Sequence, residues 1–158
     1  MATVRRVRGK SEVEAARRLT DRSWLDTYPP LIGAAQTSDI IRDRHSSARF
    51  ARNAGDGSGI FLVALEGAKV VGHLYAVPEA GTYVDRLHVD PDARGRGIGA
   101  LLLAHLRTLL PSRTRLWLTV LDGNEGARRF YVREGFSLGA SVDGLAGVRA
   151  TVCECTVP

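Results

Sequence analysis

The chain has 158 residues, of which 44% are apolar and 25% charged, which predicts one globular domain able to bury a core without disulfide staples. No apolar run approaches the roughly 18 residues of a membrane-spanning helix, so no membrane association is expected. The net charge of +5 is compatible with an acidic binding partner. However, the arginines are scattered along the chain and few aromatic residues lie between them, which favours solvated helix faces and one anion site over nucleic-acid binding.

The amino-terminal third predicts one short strand followed by helices. In segment 3–8 apolar and polar residues alternate weakly, which predicts a first strand. No apolar segment follows the basic residues of the amino terminus, so no signal peptide is expected. Ser11 and Glu14 have the spacing of a capping box, which predicts a helix from Ser11 through Trp24. After the breaker TYPP, a second helical stretch is expected over residues 37–52.

The middle of the chain predicts a meander followed by a parallel crossover. Strands are expected at 60–66, 69–77 and 82–89, joined by short turns and therefore antiparallel. A helix with one apolar stripe begins near Ile98, and the apolar segment 115–121 is typical of a strand covered on both faces. Strands 82–89 and 115–121 are expected to pair in parallel through this helix.

The carboxyl-terminal segment predicts a short helix and a final hairpin. Asn124 is expected to cap the helix and Gly135 to end it. Cys153 and Cys155 lie two apart with no further ligands nearby, so we interpret them as reduced packing residues of a cytoplasmic protein. The complete order, β-α-α-β-β-β-α-β-α-β-β, predicts an α+β domain around one mixed sheet.

A glycine-rich turn opens the central helix and predicts an anion site. Gly95, Gly97 and Gly99 remove side chains where a helix presents unpaired amides, and Arg94 and Arg96 add positive charge. Together these features are typical of a phosphate or pyrophosphate cradle. The alternative is a turn that needs positive φ, with both arginines simply in solvent.

Two known nucleotide-binding motifs are alternatives for this glycine turn. A nucleoside triphosphate loop requires Gly-Lys-Ser/Thr, which is missing. A dinucleotide-binding fold is an alternative, because Gly95, Gly97 and Ala100 satisfy its glycine pattern and Asp122 ends the next strand. Against it, residues 90–94 separate the strand from the first glycine, and too few residues follow Asp122 to complete a doubly wound sheet.

Two joined motifs resemble the GNAT family of N-acetyltransferases. VDRLHVDPDARGRGIGALLLAHL is similar to that family's acetyl-coenzyme A signature, and LWLTVLDGNEGARRFYVREGF to its second half. The segment RSWLDTYPPLI is also similar to the region after the first helix in many members. The resemblance covers roughly residues 3–156 and implies a GNAT-like fold, with residues 1–158 as a single N-acetyltransferase domain.

The resemblance also implies how acetyl-CoA is held. Backbone groups of a strand would pair with the pantetheine arm, the glycine turn would bind the pyrophosphate, and Asn124 would reach the pantetheine or the next helix. The implied coenzyme-binding residues are Leu87, His88, Val89, Arg94, Gly95, Arg96, Gly97, Ile98, Gly99, Ala100, Asn124 and Tyr131.

The resemblance places Tyr131 next to the coenzyme sulfur, where it would act as the general acid. Acyl transfer from a thioester needs a backbone donor for the carbonyl and an acid for the departing thiolate, whose pKa is close to that of a tyrosine. The alternative for Tyr131 is a core aromatic residue beside Phe130.

The general base is less clearly marked. Members that acetylate the N-termini of ribosomal proteins carry Glu where this chain has Thr119, which weakens that substrate assignment. Strand alternation predicts Tyr83 and Asp85 on one face and His88 on the other, and we take Asp85 as the candidate base. An ion pair with arginine is the alternative for Asp85. His88 is a second candidate base, with a packed or exposed strand residue as its alternative, and proton loss to water without a dedicated base stays open.

His73 and Tyr75, on the neighbouring strand, are interpreted as further candidates for the wall of the acceptor pocket.

The sequence therefore predicts an acetyl-CoA-dependent N-acetyltransferase that acts on a primary amine of a small molecule or peptide. Direct transfer in a ternary complex is expected, because no cysteine falls where a covalent intermediate could form. Segments 11–52 and 139–150 are expected to shape the acceptor pocket. Neither a metal, a nucleic acid nor a membrane is expected, and the protein would be a monomer or homodimer. The alternatives are a non-catalytic acyl-CoA sensor, a dinucleotide-binding protein and a basic nucleic-acid adaptor.

Overall fold

The computed structural model describes all residues from Met1 to Pro158 and is built on one sheet. Its strands are β1 (Thr3–Arg6), β2 (Ile60–Glu66), β3 (Lys69–Pro78), β4 (Thr82–Val89), β5 (Arg115–Leu121), β6 (Ser137–Asp143) and β7 (Arg149–Thr156). They lie in the order β1-β2-β3-β4-β5-β7-β6, and only β4 and β5 pair in parallel. The predicted mixed sheet is confirmed, and the single parallel pair contradicts the doubly wound sheet that a dinucleotide-binding fold requires.

Six α-helices flank the sheet, and none of them is long and apolar enough to cross a membrane. They are α1 (Gly9–Thr27), α2 (Pro29–Ile32), α3 (Ala34–Arg44), α4 (Ser47–Gly55), α5 (Ile98–Leu109) and α6 (Glu125–Arg133). The predicted crossover from β4 through α5 to β5 is confirmed, as is Asn124 as the cap of α6, where its side chain accepts from the Ala127 amide at 3.3 Å.

The first helix starts differently from the prediction, because another side chain caps it. It begins at Gly9 rather than Ser11, and Ser11 makes no cap hydrogen bond. The Glu12 carboxylate instead accepts from the Arg8 amide at 2.7 Å, while Arg5 holds the same carboxylate at 2.7 Å. A carboxylate in the first turn satisfies a free amide and opposes the positive end of the helix dipole.

The single helix predicted over 37–52 is wrong, because two separate helices occupy that region. The first ends before His45, whose ring lies 2.8 Å from Asp21 of α1. Ser46 then caps α4 by accepting from the Arg49 amide at 3.1 Å. The serine cap and the buried histidine together redirect the chain between α3 and α4.

The two faces of the sheet carry separate cores. One core lies under α5 and joins leucines such as Leu74, Leu102 and Leu116 to Tyr131 and Phe136. The other lies under α1 and α4 and contains Leu19, Phe50, Phe61, Val63 and Tyr75. A small third cluster of Ile32, Leu121 and Ala150 connects α2 to the end of the sheet.

A β-bulge interrupts β4 at Asp85. Tyr75 lies opposite Arg86 and the next residue, Ala76, lies opposite Val84, so Asp85 is an extra residue on β4. Val84 and Leu87 consequently both pack towards α5, although they are three residues apart. The prediction that Tyr83 and His88 face opposite sides is therefore wrong, because the bulge resets the two-residue alternation.

The parallel strands β4 and β5 separate at this bulge. They pair only at Thr82 with Leu116 and at Tyr83 with Trp117. Beyond Tyr83 the two strands diverge, so the edge of β4 that faces β5 has no strand partner. A wedge therefore opens in the middle of the sheet.

Candidate active site

A cleft of about 580 Å³ occupies the wedge between β4 and β5. The glycine turn and the start of α5 form one wall, α6 another, and the end of α1 closes part of the remaining side. The predicted site residues that line the cleft are Asp85, Leu87, His88, Val89, Arg94, Gly95, Gly97, Ile98, Gly99, Ala100, Asn124 and Tyr131. The cleft as a whole is lined by five separate segments of the chain, since β5 also contributes.

Arg96 is the predicted site residue that does not line the cleft. Its Nη1 lies 2.9 and 3.1 Å from the two carboxylate oxygens of Glu66, and its Nη2 donates to the Asp92 carbonyl at 3.0 Å. Its side chain is therefore turned towards the end of β2, and only its backbone belongs to the turn.

The glycine turn presents a row of free amides to the cleft. None of the backbone N–H groups from Gly95 to Ala100 donates to a carbonyl or to a side chain. Gly95 and Gly97 have φ of +79° and +77°, and nothing lies within 4 Å of a Cβ added at either position. The turn therefore needs positive φ at these two glycines, and the open space above it leaves room for the predicted anion.

Gly99 has a different role from the other two glycines. Its φ is not positive, and an added Cβ would lie 3.0 Å from Cζ of Phe130. It therefore lets α5 and α6 approach each other closely, rather than exposing backbone to an anion.

Arg94 is the cation at the cradle, and α1 holds it there. Its Nη1 forms an ion pair with Asp26, and its Nη2 donates to Ser23 Oγ at 3.2 Å. Ser23 in turn lies 2.9 Å from Nδ1 of His88. Burial, with nearby positive charges, lowers the pKa of His88 to about 3, so this ring is neutral at pH 7 and a weak base.

Tyr131 is both a core residue and a lining residue of the cleft. Its ring packs edge-on against Phe130 and Phe136, with centroids 5.0 and 5.4 Å away. Its hydroxyl has no hydrogen-bond partner, and burial raises the pKa of that hydroxyl well above its ordinary value. A phenol of this kind keeps its proton at neutral pH, as a proton donor must.

Among the lining residues of the cleft that sequence reasoning missed, two come from the end of α1. Tyr28, at the end of α1, lines it, and burial raises the pKa of Tyr28 to about 12. Ser23 also lines it and is buried. Both lie in RSWLDTYPPLI, the segment similar to GNAT members, so that similarity was the signal that could have identified them.

Asp85 lies at the mouth of the wedge with its side chain 48% exposed. Its Oδ2 is 3.5 Å from Nη1 of Arg86, so the predicted ion-pair alternative is also present. Glu134 is the other carboxylate of the cleft, and Thr119 lines it from β5, with Oγ1 3.5 Å from the Tyr83 hydroxyl.

The assignment of His73 and Tyr75 to an acceptor pocket is wrong. Both are buried under α4, at 0% and 4% exposure, and neither lines the cleft. Phe50 and Phe61 cover them, because β3 lies inside the sheet on the side of the α1 core.

Neither cysteine lies in the cleft. Cys153 is buried in the core and Cys155 half-buried, and both are free thiols, as predicted. No group of three or more His, Cys, Asp or Glu side chains is arranged to hold a metal ion.

The model of the acetyltransferase (GNAT) family matches residues 17–136 of the chain. The protein therefore belongs to that family, as the two sequence motifs predicted.

Curated relatives include a peptidyl-lysine N-acetyltransferase and an uncharacterized N-acetyltransferase. Peptidyl-lysine N-acetyltransferase YjaB of Salmonella typhimurium is 41% identical over 58 residues, which are 37% of this chain and 38% of that enzyme. An uncharacterized N-acetyltransferase of Mycobacterium tuberculosis is 26% identical over 114 residues, covering 70% of this chain and 73% of the relative.

Solved structures share the fold over nearly the whole chain. The PaiA N-acetyltransferase of Thermoplasma acidophilum, in complex with coenzyme A, has a TM-score of 0.81 at 18% identity, covering 96% of this chain and 98% of that one. The ribosomal-protein-S18-alanine N-acetyltransferase of Escherichia coli has a TM-score of 0.72 at 21% identity, covering 99% and 94%. The predicted GNAT-like fold is confirmed.

Proposed function

We propose that the protein is an acetyl-CoA-dependent N-acetyltransferase that acetylates a primary amine by direct transfer in a ternary complex. The observation that carries this proposal is the continuous path from the free amides at Gly95–Ala100 to the unpaired edge of β4 in the wedge. The first part suits a pyrophosphate and the second an extended amide-containing arm, and coenzyme A joins these two chemical features in one molecule.

The residues of the turn would bind the diphosphate. The amides of residues 95–100 donate to its oxygens, and Arg94 exchanges part of its contact with Asp26 for the phosphate charge. Backbone groups of Leu87, His88 and Val89 lie along the free edge of β4 and would pair with the pantetheine amides. No side chain blocks the anion, because Gly95 and Gly97 leave the space above the turn empty.

The residues at the apex of the wedge would perform the transfer. Acetyl-CoA supplies an activated acetyl group, and a backbone amide of β4 past the bulge polarises its carbonyl. Asp85 takes the proton of the attacking amine, directly or through one water, and the nitrogen forms its bond to the acetyl carbon. Tyr131 gives its proton to the thiolate as the carbon–sulfur bond breaks, which balances the two proton transfers.

The acceptor is a primary amine on a small molecule or a peptide. Its entrance lies between Tyr28, the bulge at Asp85 and Thr119 of β5. A peptidyl-lysine acceptor is named for one relative, and a mycothiol acetyltransferase of Rhodococcus opacus is 32% identical over 90 residues, which are 55% of this chain and 30% of that enzyme. Thr119 cannot accept a proton as a glutamate does. It therefore argues against the N-terminus of a ribosomal protein as the acceptor and against a general base on β5.

Ligand-induced stabilisation tests the coenzyme assignment. Coenzyme A at about 100 times its Kd should stabilise the native state by about 2.7 kcal/mol, which for a chain of this size corresponds to a rise in Tm of roughly 5–10 °C. NAD at the same concentration should leave Tm unchanged. Stabilisation by NAD and not by coenzyme A would contradict the proposal, and binding of coenzyme A without transfer to any amine would favour the acyl-CoA sensor.

A further inference from the structure

A buried arginine lies directly after the bulge of β4. Arg86 is 7% exposed, and its guanidinium lies over the ring of Phe50 at 4.1 Å and over that of Tyr75 at 4.6 Å. Burial lowers the pKa of Arg86 to about 10, so the side chain stays charged at neutral pH. A permanent charge in a core is costly unless its partners are well placed.

A neutral histidine anchors this arginine. Nε of Arg86 lies 3.1 Å from Nε2 of His73, and because arginine has only donors, that ring nitrogen must accept. The proton of His73 is then on Nδ1, which donates to the Leu62 carbonyl at 3.0 Å. The chain of contacts ends in the backbone of β2, so it fixes the guanidinium without neutralising its charge.

The counter-charge of Arg86 is the carboxylate at the mouth of the cleft. Asp85 is the one carboxylate in an ion pair with it, at 3.5 Å from Nη1. The remaining nitrogen, Nη2, is buried and has no hydrogen-bond partner. The only negative charge paired with Arg86 is therefore the Asp85 carboxylate, which lies on the side of the wedge.

The position of this pair coincides with the opening of the sheet. The last paired residue of β4 on the β5 side is Tyr83, and the extra residue Asp85 follows two positions later. Val84 and Leu87 are fixed in the α5 core while Arg86 is fixed in the opposite one. With its neighbours anchored on both faces, Asp85 is held at the cleft.

We propose that Arg86 is a positioning residue, which fixes the bulge of β4 and holds the Asp85 carboxylate at the place where it meets the incoming amine. The inference rests on the proposed function for the role of Asp85. Arg86 itself touches neither the cleft nor a ligand, so it acts only through its neighbour.

The test compares Arg86→Met, which keeps an unbranched apolar stem and removes the charge, with Arg86→Lys, which keeps the charge. The matched control is Arg5→Met, since Arg5 is also a strand arginine paired with a carboxylate, but at the far edge of the sheet. Transfer from acetyl-CoA to Nα-acetyl-lysine amide and to phenethylamine is measured, and coenzyme affinity is measured separately by calorimetry.

Arg86→Met should lower kcat by about 10- to 100-fold, since misplacing a reacting group by 1 Å costs up to about 10²-fold. Coenzyme affinity should change by less than about threefold, Arg86→Lys should recover part of the rate, and Arg5→Met should behave as wild type. Asp85→Asn should lower kcat strongly in the wild-type background and only slightly in Arg86→Met, because the two residues act as a unit. Equal effects of Asp85→Asn in both backgrounds, or loss of coenzyme affinity parallel to kcat, would overturn the inference.

Unfolding by urea gives a readout that does not depend on activity. Asp85→Asn should destabilise the wild-type and Arg86→Lys folds more than it destabilises the Arg86→Met fold, because in the first two it leaves a buried cation without a counter-charge. Equal destabilisation in the wild-type and Arg86→Met backgrounds, or no destabilisation in the wild type and Arg86→Lys, overturns the inference. A wild-type protein that acetylates neither amine contradicts the proposed function instead, and the unfolding cycle still decides the link between Asp85 and Arg86.

Discussion

Replacement of Tyr131 by phenylalanine separates catalysis from coenzyme binding. The ring would keep its edge-on contacts with Phe130 and Phe136, and the lost hydroxyl has no hydrogen-bond partner. The free energy of unfolding should therefore change by less than about 1 kcal/mol. If the hydroxyl protonates the departing thiolate, kcat should fall by about 10²- to 10⁴-fold, the usual contribution of a general acid.

The assay follows release of the coenzyme thiol under saturating amine, together with calorimetric affinity for acetyl-CoA. A fall in kcat with unchanged coenzyme affinity identifies an interaction made mainly in the transition state. A parallel loss of rate and affinity would assign the hydroxyl to the ground-state complex. Undiminished turnover of Tyr131→Phe would refute the proposed role and leave Tyr131 as a core aromatic residue.

Three further predictions concern the cradle, its cation and the half-buried His88. Gly97→Ala should lower the affinity for coenzyme A, measured by calorimetry, at least about tenfold. The control is Gly67→Ala in the β2–β3 turn, where φ is also positive and the space is equally open. It should impose a similar backbone strain of about 1–2 kcal/mol without changing the affinity. Asp26→Asn should strengthen coenzyme binding by up to about fivefold, because it frees Arg94 from an exposed ion pair worth at most about 1 kcal/mol; weaker binding would contradict the exchange of partners. The pKa of His88 is lowered to about 3 in the folded state, so its contribution to stability is complete above its unfolded pKa of about 6.5 and declines below it, by no more than about 1.4 kcal/mol per pH unit. Urea unfolding at pH 7 and pH 5 should therefore show a smaller loss of stability at acid pH for His88→Gln than for the wild type, and an equal loss would contradict the lowered pKa of His88.

The order of helices and strands could be predicted because hydrophobic periodicity and turn residues are local signals. The bulge could not, since an extra residue such as Asp85 leaves no mark in a run of alternating side chains, and its detection needs the partner strand. As a result, His88 was predicted on the wrong face of the sheet, whereas its ring lies against Ser23 of α1.

The two arginines of the glycine turn show a similar limit. Arg94 and Arg96 are equivalent in a motif, yet the first lies at the cleft and the second is held by Glu66. Their placement depends on carboxylates that lie 68 and 30 residues away in the chain, which local sequence patterns do not describe. Likewise, the sequence did not reveal that His73 is a core residue, because it packs against Phe50 and Phe61, which lie outside its own strand.

Product analysis tests the central claim most directly. The wild-type protein is incubated with acetyl-CoA and a panel of primary amines that includes a lysine peptide, and free thiol and acetylated amine are quantified by mass spectrometry. The account predicts one amide formed for each thiol released, with no acetyl group retained on the protein because no cysteine lies in the cleft. Coenzyme binding without amide formation, or an acetylated protein as an intermediate, would contradict it.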